Sequence, residues 1–263
     1  MTSREHYTFG DGDVAAERLR LLASVFAPST TLMLSRLAAR APELAIDLGC
    51  GPGYTTALVA AELASARVIG LDQSERLLEQ ASRERGNERV SFARADVSSS
   101  PFPAPLAGFI YSRFLLTHLR DPAAAVRAWA SSVLPGATLV LEETAFMTGE
   151  HPAFPRYYAL VERMQAHYGQ RMYIGRELEA LCVSSDWVLD SSEVVVAPLP
   201  AADMARLHSL NLRTWSSDAF AQANYAADDL AELGAQLEQI STGALSAPAV
   251  SCGIGQLVLR RAG

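Results

Sequence analysis

One stretch constrains this chain more than any other: Asp47-Leu48-Gly49-Cys50-Gly51-Pro52-Gly53-Tyr54. It follows the apolar run Leu44 to Leu48 and opens a helical pattern at 54–64. Glycine tolerates positive φ and lets a ligand approach the backbone closely. The helix N-terminus behind such a loop offers unpaired N–H groups and the positive end of a dipole, where a carboxylate or phosphate binds well. A dinucleotide loop wants G-x-G-x-x-G, which would place its third glycine at position 54. That position is Tyr54, and the third glycine is Gly53. The loop reads G-x-G-x-G, which disfavours a nicotinamide cofactor.

The surrounding pattern agrees with an α/β chain. Strands are expected at 44–48, 68–71, 90–93, 108–111 and 138–141, with helices between them. Ser74 reads as a helix cap, and Asp121-Pro122 as an N-cap followed by proline in the first turn. Such alternation means a mostly parallel, doubly wound sheet covered by helices on both faces. Upstream, 14–40 reads as two helices broken at Pro28. Downstream, 153–168 and 175–185 read as helices, and 187–197 and 250–259 as strands. The stretch of about 203–241 between those strands is too long for a plain connection and is expected to form an inserted helical cap.

Composition excludes several functions. The net charge is -7, so no general positive field is available to attract DNA or RNA. All 22 basic residues are arginine. That removes lysine Schiff bases, lysine-anchored pyridoxal phosphate and a P-loop lysine. The 3 cysteines, Cys50, Cys182 and Cys252, match no zinc spacing and are too few for a disulfide framework. With no apolar leader at 1–10 and no uncharged run of spanning length, the expectation is a soluble, cytoplasmic protein with no membrane or metal partner.

Two acids extend the glycine loop. Asp72 ends the second strand, 19 residues after Gly53, where an acid accepts hydrogen bonds from ribose hydroxyls. Asp96 ends the third strand, where an acid accepts from an adenine amino group. All three features sit at the carboxyl ends of adjacent strands, the binding edge of open α/β sheets.

With these residues in place, the chain resembles class I S-adenosylmethionine-dependent methyltransferases, of the small-molecule branch that tailors bacterial natural products. The likeness covers about 7–190. Asp-Leu-Gly-Cys-Gly-Pro-Gly is its most specific motif, and the stretch Tyr111 to Leu119, Asp121-Pro122, Leu134-Pro135-Gly136, Tyr7-x-Phe9-Gly10 and Tyr173-Ile174-Gly175-Arg176 also match. The resemblance implies a seven-stranded Rossmann-like sheet with the 250–259 strand antiparallel between the fifth and sixth. It divides the chain into N-terminal cap helices (1–43), a cofactor-binding core (44–145), cap and substrate helices (146–186), and the last two strands with their insert (187–263). S-adenosylmethionine would be held by Tyr7, Asp47, Gly49, Cys50, Gly51, Gly53, Asp72, Gln73, Asp96, Val97, Ser112 and Arg113, leaving as S-adenosylhomocysteine. Base-amino methyltransferases carry Asn or Asp, Pro-Pro and an aromatic after the fourth strand. Tyr111-Ser112-Arg113-Phe114 stands there instead, which disfavours a DNA substrate.

The expected reaction is methyl transfer to a small molecule, led by a hydroxyl of an aromatic or polyketide-like metabolite, with carbon and nitrogen as other acceptors. An enolisable carbon or a hydroxyl wants a base. His118, just past the fourth strand, is one candidate, with a structural histidine at a helix start as its alternative. Glu143 is the other: Glu142 and Glu143 follow the fifth strand and must face opposite sides. Two rivals stay open. A bound sulfonium could promote a cyclisation or rearrangement without methyl transfer, or the fold could serve as a non-catalytic scaffold. Homodimerisation through the cap is a further open alternative.

Overall fold

The computed structural model describes residues 13–65, 67–184 and 186–263. Helix α1 (Asp13–Ser35) leads to β1 (Leu44–Leu48), α2 (Tyr54–Glu62), β2 (Arg67–Asp72), α3 (Glu75–Arg85) and β3 (Val90–Arg94). Next come β4 (Ala107–Arg113), α4 (Pro122–Trp129) and β5 (Val133–Thr148), then α5 (Ala153–His167), α6 (Leu178–Cys182) and β6 (Trp187–Leu199). The chain closes with α7 (Ala201–Trp215), α8 (Ala219–Asn224), α9 (Ala227–Ser241) and β7 (Val250–Arg261). The sheet order is β3-β2-β1-β4-β5-β7-β6. Strands β1 to β5 are parallel, and β7 lies antiparallel between β5 and β6. This is the seven-stranded sheet with one reversed strand that the sequence implied.

Period-two patterning distributes the strand side chains between two cores. Leu44, Ile46 and Leu48 of β1 pack with Trp129 of α4 and Trp187 of β6 on one face. Ala45, Val68 and Phe109 meet Leu34 of α1, Val59 of α2 and Leu63 just past its end on the other. Both caps read from the sequence are present. Ser74 accepts from the Leu77 N–H, and Asp121 from the Ala124 N–H.

Two local expectations need correction. Pro28 does not divide α1, which runs through it. Proline removes one helical N–H bond, but Phe26, Met33 and Leu34 are buried on either side of it and hold the helix in register by packing. The stretch 175–185 is a 3-10 turn at Ile174–Arg176 followed by the short α6. The helical cap expected between β6 and β7 is present as three helices, α8 being capped by Asp218, which accepts from the Phe220 and Ala221 N–H groups.

A third core lies over the carboxyl ends of the parallel strands. Phe26 of α1, Tyr157 and Val161 of α5, Leu207 and Trp215 of α7, and Leu233 and Leu237 of α9 belong to it. The edge where the loops emerge is thereby roofed. No described helix is long and apolar enough to cross a membrane.

Candidate functional site

The three loop glycines adopt the backbone expected of them, with φ of 67° at Gly49, 51° at Gly51 and 82° at Gly53. Their environments differ. A Cβ on Gly53 would lie 2.6 Å from the Phe92 ring, so this glycine seats α2 against β3. A Cβ on Gly51 would meet nothing nearer than Leu19 Cδ1 at 3.9 Å and would project into open space. The loop is tied to β2 through its own N–H groups. Gly49 and Cys50 donate to the Leu71 carbonyl at 2.8 and 3.1 Å, and Gly51 donates to Asp72 Oδ2 at 2.8 Å.

Asp47 lies behind the loop, outside the cavity. Its Oδ2 accepts from the Thr55 and Thr56 hydroxyls at 2.6 and 2.7 Å, pinning the first turn of α2 to the end of β1. Burial raises its pKa to about 6. Asp72 does face the cavity. Each of its oxygens takes one backbone N–H, from Gly51 and from Ser74, and a carboxylate oxygen has room for a second donor. Burial raises its pKa. Gln73 is exposed on the cavity wall nearby. Asp96 lines the rim and accepts from Ser98, while Val97 is buried and its carbonyl holds the Trp129 indole N–H at 2.8 Å. Cys50 lines the loop, and burial pushes its thiol well above the usual range, so it stays protonated. Tyr7 lies outside the described residues.

The neighbouring acids of β5 face opposite sides, as strand alternation requires. They lie within the strand, which continues to Thr148, and not beyond it. Glu142 points away from the cavity and accepts from Thr30, Tyr111 and the Gln256 amide. Arg113 donates to the same Thr30 hydroxyl at 2.8 Å, which ties β4 to α1. Glu143 reaches the cavity wall. Its Oε1 accepts the Leu115 and Leu116 N–H groups at 2.7 and 2.6 Å, and burial raises its pKa to about 8. Those two residues lead into the 3-10 turn Leu116–His118. Glu143 therefore holds the segment that presents His118. Burial and the nearby Arg18 charge lower the His118 pKa to about 4, so the ring is neutral at pH 7. Ser112 is buried beneath the wall and does not line the cavity.

Of these groups, Asp72, Asp96, His118 and Glu143 share one cavity of about 930 Å³, near the top of the usual range for small-molecule sites, about 300–1,000 Å³. Its lining includes the glycine loop, Asp72 and Asp96. It also includes residues that sequence reasoning did not single out for the site: Arg18 from α1, Gln165 from α5, and His208 and Asn211 from α7. A signal for them existed. Arg18, Leu22 and Phe26 share one face of α1, Tyr157, Val161 and Gln165 one face of α5, and Leu207, Asn211 and Trp215 one face of α7. A polar residue set into an apolar helical stripe is more informative than the stripe itself. Phe114 was also missed. It lines the cavity with φ of 54°, uncommon for a bulky residue. Among the described residues, no cluster of three or more His, Cys, Asp or Glu could hold a metal ion.

Residues 46–141 match a family described as a methyltransferase domain. A trans-aconitate 2-methyltransferase from Methylobacterium radiotolerans is 41% identical over 111 residues, which are 42% of this chain and 41% of that protein. The match thus spans less than half of the relative's length. A solved Bacillus halodurans protein described as a methyltransferase superposes with a TM-score of 0.62 at 16% identity, covering 89% of this chain and 100% of that one. The cyclase SpnF superposes with a TM-score of 0.52 at 18% identity, covering 88% and 81%. At such identities these two likenesses establish the fold.

Proposed function

We propose that this chain, which belongs to the class I S-adenosylmethionine-dependent methyltransferases, moves a methyl group from S-adenosylmethionine to a carboxylate oxygen of a small organic acid. The observation that carries this reading is the continuity of the cavity: the cofactor edge and a partly polar acceptor chamber are one space.

The residues at the sheet edge fit the cofactor. Gly51 leaves open the space that a Cβ would fill. Asp72 keeps acceptor capacity for ribose hydroxyls after taking its two backbone N–H groups. Asp96 and Val97 would hold the adenine, and the loop at Gly49 and Gly51 would hold the amino-acid portion. Asp47 acts at one remove, by fixing the loop. When bound, the cofactor supplies an electrophilic methyl group on a sulfonium sulfur. The chain then has to align the acceptor with that carbon, and alignment alone supplies about 7–11 kcal/mol in favourable cases.

A carboxylate replaces the aromatic hydroxyl as leading acceptor because of the charge states in the wall. A phenol must lose its proton, whereas a carboxylate is already ionised at neutral pH. His118, held near a pKa of about 4, is a weak base. Glu143, raised to about 8, is largely protonated at pH 7, and its Oε1 is engaged by two N–H groups. Arg18 is 4% exposed in the wall, and its charge lowers the pKa of both His118 and Tyr157. A charge so placed favours an anionic acceptor. The trans-aconitate 2-methyltransferase relative supports the same choice.

Incubation with S-adenosylmethionine and a panel of di- and tricarboxylic acids, aromatic acids and phenols, read by mass spectrometry, tests this. A methyl gain that hydroxylamine removes identifies an ester and supports the proposal. A hydroxylamine-resistant methyl gain identifies an ether, amine or carbon product and overturns the acceptor assignment. An isomeric product with unchanged mass restores the cyclisation rival.

A further inference from the structure

The glycine loop is held from a second side, by a residue that no motif marks. Its outgoing half, Pro52-Gly53-Tyr54, packs on the face of α3 that carries Ala81 and, one turn later, Arg85. A Cβ on Gly53 would lie 3.2 Å from the Ala81 Cβ. Arg85 Nη1 donates to the Pro52 carbonyl at 3.1 Å, and its guanidinium carbon lies 3.9 Å from the centre of the Tyr54 ring. Glu84 Oε2 accepts from the same Nη1 at 2.7 Å.

These contacts go beyond those of an ordinary cation at a helix end. Arg83 and Arg85 both stand in the last turn of α3, where positive charge complements the helix dipole. The Arg83 side chain is 73% exposed, whereas that of Arg85 is 18% exposed and turned back onto the loop. Pro52 has no N–H, so its carbonyl is the one backbone group it can pair. A planar guanidinium stacks on a ring and donates from its edge at the same time, which an ammonium cannot do. The loop is thus fastened to both ends of one helical segment. Gly51 donates to Asp72, just before α3, and the next residue accepts from Arg85 at its close. Gly51, Pro52 and Tyr54 all line the cavity, and Arg85 does not.

We propose that Arg85 is a positioning residue for the cofactor: acting through Pro52 and Tyr54, it holds the glycine loop in the shape that receives S-adenosylmethionine. This rests on reading the loop as the cofactor site. A loop that holds its binding shape for only a fraction of the time binds with an affinity lowered by that fraction. Releasing Arg85 therefore weakens cofactor binding without removing any group that touches the cofactor.

The test is the affinity of the folded protein for S-adenosylhomocysteine, measured by titration calorimetry. Arg85→Met keeps the aliphatic stem and is expected to weaken binding about 5- to 20-fold. Arg85→Lys, which keeps the charge, should fall between Arg85→Met and wild type. Arg83→Met, at the same helix end, should stay within about twofold of wild type. In a Tyr54→Leu background the loss caused by Arg85→Met should shrink to about half or less, because part of the path is already gone. Hydrogen exchange of the ligand-free protein gives a second readout. The Gly53 amide, which donates to the Cys50 carbonyl at 2.9 Å, should exchange about 3- to 10-fold faster in Arg85→Met while the β1 and β2 amides keep their rates. A residue that only stabilised the fold would lower the Tm and speed all these amides together, leaving the affinity of the folded protein unchanged. Unchanged affinity in Arg85→Met overturns the proposal, as does an equal loss in Arg83→Met or an undiminished loss in the Tyr54→Leu background. Wild-type protein that binds no S-adenosylhomocysteine would refute the cofactor reading and the proposal with it, whereas normal wild-type binding with no effect of Arg85→Met refutes the proposal alone.

Discussion

Replacing Glu143 by glutamine separates a catalytic carboxylate from one that holds a loop. The wild-type group accepts two backbone N–H bonds through Oε1, and a glutamine carbonyl can accept both. What the substitution removes is the ability to ionise. Burial raises the pKa from an ordinary 4.5 to about 8. An acid with a raised native pKa binds more protons folded than unfolded over this window, so stability is full below pH 4.5 and falls as pH rises through 8. At about 1.4 kcal/mol per pKa unit, wild type should lose about 3 kcal/mol relative to E143Q between pH 5 and pH 8. Urea denaturation of both proteins across that range measures it, and the difference between them cancels other titrating groups, Asp47 included. In the same preparations kcat should stay within about tenfold of wild type, because the turn presenting His118 is still held. Two results refute the reasoning. A stability difference that does not change with pH would show that Glu143 does not carry the raised pKa. A fall in kcat of about 10²–10⁴ with unchanged folding would make Glu143 a proton-transfer group.

Other substitutions probe the loop and the wall. Gly53→Ala forces a side chain into φ of 82° and to within 2.6 Å of Phe92; urea denaturation should show a loss of about 2–4 kcal/mol. Asp72→Asn should weaken S-adenosylmethionine binding about 10- to 100-fold in calorimetry while the fold is retained, since hydrogen bonds to a charged acceptor are worth about 1.5–3 kcal/mol. His118, with its pKa lowered to about 4, should show no NMR titration midpoint above pH 5 in the Cε1 proton, and an inflection near 6.5 would contradict its burial. Asp47→Ala should destabilise by about 2–4 kcal/mol by stranding the Thr55 and Thr56 hydroxyls.

Local and periodic features were legible in the sequence. The positive φ of the glycines, the Ser74 and Asp121 caps, the reversed β7 and the opposite facing of Glu142 and Glu143 each follow from a spacing, from a local rule or from the family likeness. Pro28 misled because its cost is local, whereas the burial that offsets it comes from distant elements, the cap-helix core at Phe26 and the sheet at Met33 and Leu34. Asp47 sits in the most specific motif, yet its carboxylate faces away from the cavity. A motif records that a residue type is needed, and contacts alone show whether it touches a ligand or holds the backbone that does.

The roof was hidden for a different reason. Its polar residues come from α1, α5 and α7, which pack together only once α9 and the sheet edge are in place. Each reads as an ordinary interruption of an amphipathic stripe. Their meaning lies in convergence, which a single helix cannot show. The cofactor edge is the opposite case: its loop, Asp72 and Asp96 follow one another at the ends of successive strands and can be read in order. The cofactor edge of this fold is thus set by short-range sequence rules, and the lining of the rest of the cavity by which side chains the cap helices bring together.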